Sequence, residues 1–274
     1  MSTVWVNGAL VGADQPIVRA DDHGVLVGDG VFETAKVLDG TPFALTRHLV
    51  RLRRSAAGLG LDIPPSDDEL RAAVAEVVAA NEPGVGRLRI TVTGGPGPLG
   101  SSRGADGPTI VVATGPAGTW PPAAEVVVVP WPRNERSAVA GLKTVSYAEN
   151  VVALAHAADR GAGEALFANL AGNLCEGTGS NVFVVLDGRL VTPPLSSGCL
   201  AGISRELVLE TTDAVEEDVP MDRLPEVSEA FLTSSTRDVQ PISAIDGRAL
   251  PACPGPRTTA AAEAFAALVA RTLD

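Results

Sequence analysis

The chain has 274 residues, with 21 Lys and Arg against 33 Asp and Glu, a formal net charge of −12 and 45% hydrophobic residues. That length and apolar share build one large or two modest cores without disulfide or metal staples. An acidic balance spread along the sequence excludes charge-driven partners such as nucleic acid or anionic lipid, which draw on clustered Lys and Arg.

Cys175, Cys199 and Cys253 are widely spaced and form no CxxC or Cys/His pattern, so no metal site is expected. The opening residues lack a basic region followed by a long apolar run, and no apolar run reaches bilayer length, which predicts a cytoplasmic protein with no membrane partner. Residues 4–10 read as a hairpin turning at Asn7-Gly8, because Asn-Gly accepts the positive φ angles of such turns. Residues 31–38 are apolar and β-branched, Asp39-Gly40 turns the chain, and residues 42–45 are predicted to return it as a strand. Thr46 then caps a helix with Leu49, Leu52 and Ala56 on one stripe, and the Pro64-Pro65 break precedes a second helix over 66–80, closed by residues 81–86. Strands at 87–93 and 108–113 flank a glycine-rich loop, residues 94–107.

The Gly/Pro-rich stretch 115–124 is the expected connection between a small domain, residues 1–114, and a larger one, residues 125–274. The larger domain opens with a strand at 125–129. Its longest helical signal is 146–160, with a capping box Ser146-x-x-Glu149 at the start and Gly161 and Gly163 past the end. Strands at 164–169, 182–186 and 189–192, a helix over 204–214, a strand at 229–233 and a terminal helix over 258–273 complete the chain.

Lysine is scarce: Lys36 and Lys143 are the two in the sequence, so any lysine chemistry has two candidates. Lys36 precedes the Asp39-Gly40 turn and reads as a solvated edge lysine. Lys143 lies in a small-residue apolar stretch, 139–145. It reads equally as a strand-end cation facing water or as a partly enclosed amine, whose desolvation makes it a usable Schiff-base nucleophile. Residues 172–181, GNLCEGTGSN, place one carboxylate, Glu176, among small residues; it is either an exposed hairpin acid or a partner for a protonated heterocyclic nitrogen. Gly202 leads into a helix whose first amides suit an anion, and residues 233–237 bring consecutive hydroxyls, although each alone also fits an ordinary cap or turn.

Taken in order, Asp22-His-Gly-x-x-x-Gly28-Asp-Gly-Val-Phe32-Glu33-Thr34, His48-x-x-Arg51-Leu-x-x-Ser55-Ala56, Leu142-Lys143-Thr-x-Ser-x-x-Glu-Asn150, Glu176-Gly-x-x-Ser180-Asn181-Val-Phe, Gly202-Ile203-Ser204-Arg205 and Thr233-Ser-Ser235-Thr236 span most of the chain. This series resembles the fold-type IV, or class IV aminotransferase, family of pyridoxal-phosphate enzymes. The resemblance implies an α+β protein of two domains, a small N-terminal α/β sandwich and a larger C-terminal pseudo-barrel. It implies a homodimer with the site between the domains, partly lined by the partner subunit. By the same matching, pyridoxal 5'-phosphate is held by Lys143 as a Schiff base, while Glu176 bonds the pyridine nitrogen. Arg51, the amides of Ile203 and Ser204 and the hydroxyls of Ser235 and Thr236 hold the phosphate. Arg51 then faces inward, and Arg47, Arg53 and Arg54 are solvated.

Members of the family divide by reaction on a small-molecule amino substrate. Branched-chain enzymes carry a tyrosine five residues after the lysine, which falls at Ala148, with Tyr147 one position off. D-amino-acid enzymes carry an Arg-x-His carboxylate trap where this chain has Leu99-Gly100-Ser101. By elimination the resemblance favours 4-amino-4-deoxychorismate lyase, which releases pyruvate and gives 4-aminobenzoate for folate synthesis. The alternative is an aminotransferase acting on D-amino acids, branched-chain L-amino acids or R-amines, whose members share Glu33. A non-catalytic binding protein of the same fold is more remote. Phe32, Arg89 and Arg103 are the candidate substrate contacts, the two arginines by charge and position in the chain.

Overall fold

A computed structural model describes residues 2–81, 86–272 and 274. Most of the predicted stop after the second helix, residues 82–85, and the last residue of the predicted terminal helix, Leu273, lie outside the described residues. The chain divides into two compact units, Met1–Gly118 with Leu142–Tyr147 and Thr272–Asp274, and Thr119–Gly141 with Ala148–Arg271. Sequence alone assigned the lysine-bearing stretch to the larger domain. The structure groups Leu142–Tyr147 with the first unit, because its main chain hydrogen-bonds along a strand there.

In the first unit, β1 (Thr3–Val6), β2 (Ala9–Gly12), β3 (Gly30–Leu38), β4 (Thr41–Pro42), β5 (Gly86–Thr93) and β6 (Thr109–Pro116) form, among the described residues, a six-stranded sheet of order β2-β1-β6-β5-β3-β4. Its pairs are antiparallel. Asn7 and Gly8 turn β1 into β2 with φ of 44° and 101°, the left-handed region that Asn and Gly tolerate best. A single turn, α1 (His23–Leu26), is capped by the Asp22 carboxylate. Two longer helices, α2 (Leu45–Leu59) and α3 (Asp67–Asn81), belong to the same unit. Leu49, Leu52 and Ala56 of α2 and Leu70, Val74 and Val77 of α3 recur at helical spacing and share one core with Leu88, Ile90 and Val92, which alternate along β5.

The return strand stops at Pro42, and the N-cap of α2 is Ala44, turned into the left-handed region at φ 55° with no side-chain cap. Thr46 lies two residues past the N-cap, and its hydroxyl donates to the Asp274 carboxylate at 2.8 Å. A capping box does form at α3, where Glu69 accepts from the Ser66 N–H at 2.7 Å and Ser66 Oγ accepts from the Glu69 N–H at 3.2 Å.

The second unit holds β7 (Ala124–Val128), α4 (Ala148–Ala158), β8 (Glu164–Ala168), β9 (Leu174–Gly177), β10 (Asn181–Leu186), β11 (Arg189–Thr192), α5 (Ile203–Thr211), β12 (Val215–Glu216), β13 (Glu229–Ser234), β14 (Asp238–Ile245), β15 (Arg248–Ala249) and α6 (Pro256–Arg271). Among the described residues its strands form a nine-stranded sheet of order β12-β11-β10-β13-β14-β7-β8-β9, with β15 on β14, curled as a half-barrel. The sheet is mixed: β14 with β7, β7 with β8 and β11 with β12 are parallel. Phe183 and Phe231 lie opposite each other on β10 and β13 and stack at 4.8 Å in the core. The two units together give the α+β architecture expected from the sequence.

The predicted capping box at Ser146 does not form. Helix α4 begins at Ala148, the Ser146 hydroxyl donates to the Gly28 carbonyl at 2.8 Å, and the Glu149 carboxylate accepts from Arg133. Strand β14 was not predicted, because Pro241 reads as a breaker, yet residues on both sides of it pair with β13 or β7. Among the described residues no helix is long and apolar enough to cross a membrane, and no group of three or more His, Cys, Asp and Glu is placed to hold a metal ion.

Candidate active site

Lys143 is held by its backbone before its side chain is considered. The Phe32 N–H donates to the Lys143 carbonyl at 3.0 Å, the Val145 N–H donates to the Gly30 carbonyl at 2.9 Å, and Val31 bridges to Thr144. The Lys143 N–H donates to Oγ of the fully buried Ser55 on α2 at 3.1 Å. Glycine is required at position 30, since a Cβ there would fall 2.7 Å from the Val92 carbonyl oxygen. So anchored, the half-buried Lys143 places Nζ 4.3 Å from the centroid of the Phe32 ring.

The same ring carries the Arg89 guanidinium at 3.8 Å and meets the Tyr147 ring edge-on at 5.2 Å. Arg89 is exposed as a residue, and partial desolvation of its guanidinium lowers its proton affinity from the ordinary value. The first unit thus brings together Lys143, Phe32 and Arg89 and adds Tyr147. Arg103 is not brought to them. Its Nε and Nη2 donate to Asp29 at 2.6 and 2.7 Å, and its Nη1 and Nη2 donate to the carbonyls of Gly60 and Leu59 at the end of α2. Those bonds make Arg103 a clamp between loop and helix.

Arg51 is buried, as expected, and Glu33 fixes its direction. Nε and Nη2 donate to the two oxygens of the Glu33 carboxylate, each at 2.7 Å, and His48 Nδ1 lies 2.6 Å from Glu33 Oε2. Burial by itself would raise Glu33, but the Arg51 charge and its hydrogen bonds, with His48, hold it at about 2. Burial lowers His48 in turn. Arg54 is exposed, whereas Arg53, expected to be solvated, donates to Asp67 at 2.6 Å and to the carbonyls of Ile63 and Pro65.

In the second unit Glu176 lies on β9 and is not an exposed hairpin acid. The Leu200 N–H donates to its Oε2 at 2.9 Å, and Arg133 Nε stands 3.4 Å from its Oε1. Arg133 itself lies over the Phe167 ring at 4.1 Å and pairs with Glu149. Sequence reading missed Arg133, which no spacing connects to Glu176. Helix α5 starts at Ile203 behind Gly202, which offers no side-chain cap, so the first amides, those of Ile203 and Ser204, point out of a helix start without a competing side-chain acceptor. A Cβ at Gly202 would fall 1.9 Å from Asn181 Oδ1, and Asn181 Nδ2 donates to the Leu200 carbonyl at 2.8 Å. Ser235 and Thr236 are half-buried in the turn between β13 and β14. Burial pushes the Cys175 and Cys199 thiols up, Cys199 to about 11, with the Glu176 charge adding to it, so both are neutral packing groups.

Chemically, each unit by itself carries groups of the kinds that a phosphorylated, nitrogen-containing aromatic aldehyde takes. A lysine amine rests on an aromatic ring, a carboxylate is oriented by a main-chain N–H and an arginine, and helix amides and hydroxyls suit a phosphate. The comparisons give this class its family. A model described as amino-transferase class IV matches residues 30–245, and the chain belongs to that family of pyridoxal-phosphate-dependent enzymes.

A putative branched-chain-amino-acid aminotransferase of Methanocaldococcus jannaschii is 34% identical over 261 residues, 90% of this chain and 89% of that protein. A D-alanine aminotransferase of Bacillus licheniformis is 31% identical over 275 residues, 93% of each chain. Among solved structures, the branched-chain aminotransferase of Thermoproteus uzoniensis with norvaline superposes with a TM-score of 0.91 at 31% identity, covering 98% of this chain and 94% of that one. A putative 4-amino-4-deoxychorismate lyase of Legionella pneumophila gives a TM-score of 0.86 at 23% identity, over 94% of this chain and 96% of that one, a likeness of fold alone.

Proposed function

We propose that this enzyme transfers an amino group from an amino acid to a 2-oxo acid, rather than releasing pyruvate as a lyase. The observation that carries the reading is identity along nearly the full chain to proteins named as aminotransferases, 34% and 31%, against a fold-level likeness to the one named a lyase. The site agrees with it. Arg89 sets a carboxylate-binding cation on the same ring as the Lys143 amine, and Tyr147 supplies a tyrosine ring there from one position before the family's usual place. Branched-chain L-amino acids are the first donors to try, since residues 99–101 lack the Arg-x-His trap of the D-specific enzymes.

Pyridoxal 5'-phosphate supplies, when bound, a carbonyl that exchanges with amino groups and a ring that takes up negative charge. Lys143 would hold it through Nζ, and the same amine would move the proton at the substrate α-carbon. Glu176 accepts the hydrogen bond of the protonated pyridine nitrogen. Arg51, the amides of Ile203 and Ser204 and the hydroxyls of Ser235 and Thr236 bind the phosphate. Phe32 packs against the reacting groups, and Arg89 binds the substrate carboxylate. A second copy of the chain completes the enzyme as a homodimer, a reading supported by Val151, Val152 and Leu154, which α4 leaves exposed.

The test is the visible spectrum of the protein loaded with cofactor, before and after an amino acid is added without acceptor. The Schiff-base band is expected to collapse to that of the aminated cofactor with leucine, isoleucine or valine of one hand, and Lys143→Ala is expected to lack both band and turnover. A band that survives every amino donor, in a protein that converts aminodeoxychorismate to 4-aminobenzoate and pyruvate, would overturn transfer in favour of the lyase.

A further inference from the structure

A buried polar cluster in the second unit has no part in the chemistry so far. Glu164, the first residue of β8, is 1% exposed, and it accepts from the Thr178 N–H at 3.0 Å, from the Thr178 hydroxyl, from the Ser180 hydroxyl at 3.1 Å and from Arg237 Nη2 at 3.1 Å. The Arg237 side chain, 6% exposed, also donates through Nη1 to Gln240 Oε1 at 2.6 Å, and its guanidinium lies 3.7 Å from the centroid of the Trp120 ring. Gln240 Nε2 in turn donates to the Pro121 carbonyl at 2.8 Å. One planar cation therefore joins three stretches of chain. These are the loop after Glu176, the turn that carries Ser235 and Thr236, and the connecting stretch at Trp120.

Stability alone does not account for such a pair. A buried ion pair replaced by apolar groups of similar volume is often neutral or stabilising, so the bonds of this pair are read for the chain geometry they set. The geometry defined here belongs to residues with assigned work. Arg237 directly follows Thr236, its own N–H donates to Ser234 Oγ at 3.2 Å, and Thr178 stands two residues beyond Glu176.

We propose that Arg237 is a positioning residue for the cofactor groups. Through Glu164 and Gln240 it keeps the Ser235–Thr236 turn in register with the loop after Glu176, and through Trp120 it ties the connecting stretch to that turn. This rests on the function proposed above. The role is indirect, because Nη1 and Nη2 are bonded to Gln240 and Glu164 and the guanidinium lies on Trp120.

The test uses the full-length protein stripped of cofactor and titrated with pyridoxal 5'-phosphate, followed by visible absorbance and by tryptophan emission, with Trp120→Phe to assign the Trp120 signal. Arg237→Met is expected to weaken cofactor binding about tenfold or more, while kcat at saturating cofactor stays within about threefold. Trp120 emission is expected to change in the variant even without cofactor, and Arg237→Lys, which restores the charge, to recover part of the affinity. Unchanged affinity in Arg237→Met, or a kcat that falls as far as the affinity does at saturating cofactor, overturns the proposal. If Arg237→Met does not fold, Trp120→Leu carries the test, since it leaves the Glu164 pair intact: about threefold weaker binding at an unchanged unfolding temperature supports the proposal, and unchanged binding overturns it. A parent protein that takes up no cofactor overturns the proposed function instead.

Discussion

Glu33 concentrates in one carboxylate a balance that recurs among the buried charges here. Burial opposes its ionisation, Arg51 and His48 favour it, and the result is a group held at about 2 against an ordinary 4.5. A carboxylate lowered on folding contributes stability that is fully present above pH 4.5 and is lost as pH falls towards 2, on the order of 3 kcal/mol for such a shift. His48, lowered as well, is favoured in its neutral form, so its contribution starts to fade below pH 6.5. We expect Glu33→Gln to unfold at a lower temperature than the parent at pH 7 and the gap to narrow between pH 4.5 and 2. A gap that stays constant across that window would count against the charge balance. At this scale Lys143 and Glu176 stood out in the sequence through scarcity and small-residue surroundings. The partners of Arg103, Arg133 and Arg237 did not, because most of them, Asp29, Glu176, Glu164 and Trp120 among them, lie on chain segments remote in sequence.

Helix α5 shows how an element start acquires chemical value. Gly202 is followed by amides with no side-chain cap, and the space a Cβ would need is filled by Asn181, with Oδ1 1.9 Å from its ideal position. Gly202→Ala must displace Asn181 or shift the start of α5. We expect it to cost about 1–3 kcal/mol by thermal unfolding and to weaken cofactor retention. Gly179→Ala is the control, since no atom lies within 4 Å of a Cβ there. Equal effects at the two positions would remove the argument for close approach. Element by element, periodicity and turn pairs placed most helices and strands. Ser146 and Thr46 misled because their hydroxyls bond remote groups, Gly28 and Asp274. Strand β14 was hidden by Pro241, whose missing N–H argues for a break that its neighbours' pairing makes unnecessary.

For the whole molecule, two units are built on two sheets of different topology. The first unit holds the amine, its aromatic rest and the Glu33–Arg51–His48 group; the second holds Glu176, the start of α5 and the Ser235–Thr236 turn. The apolar residues exposed on α4 predict self-association, so sedimentation equilibrium is expected to give twice the 28.0 kDa chain mass. A mass of one chain at micromolar concentration would set the homodimer aside.

Sequence by itself determined most of the elements, the α+β class and the family through the order of its motifs, and it singled out Lys143 and Glu176 as the lysine and the acid to test. Each of those rests on local spacing, composition or residue order. Only the tertiary structure decided that residues 142–147 bond along β3 in the first unit, that Arg103 serves Asp29 while Arg89 stays with Lys143, and that Arg237 joins three stretches of chain. The reason is physical: a buried charge takes its partner from whatever folding brings within about 3 Å, and that distance is a property of the packed chain, not of separation along it.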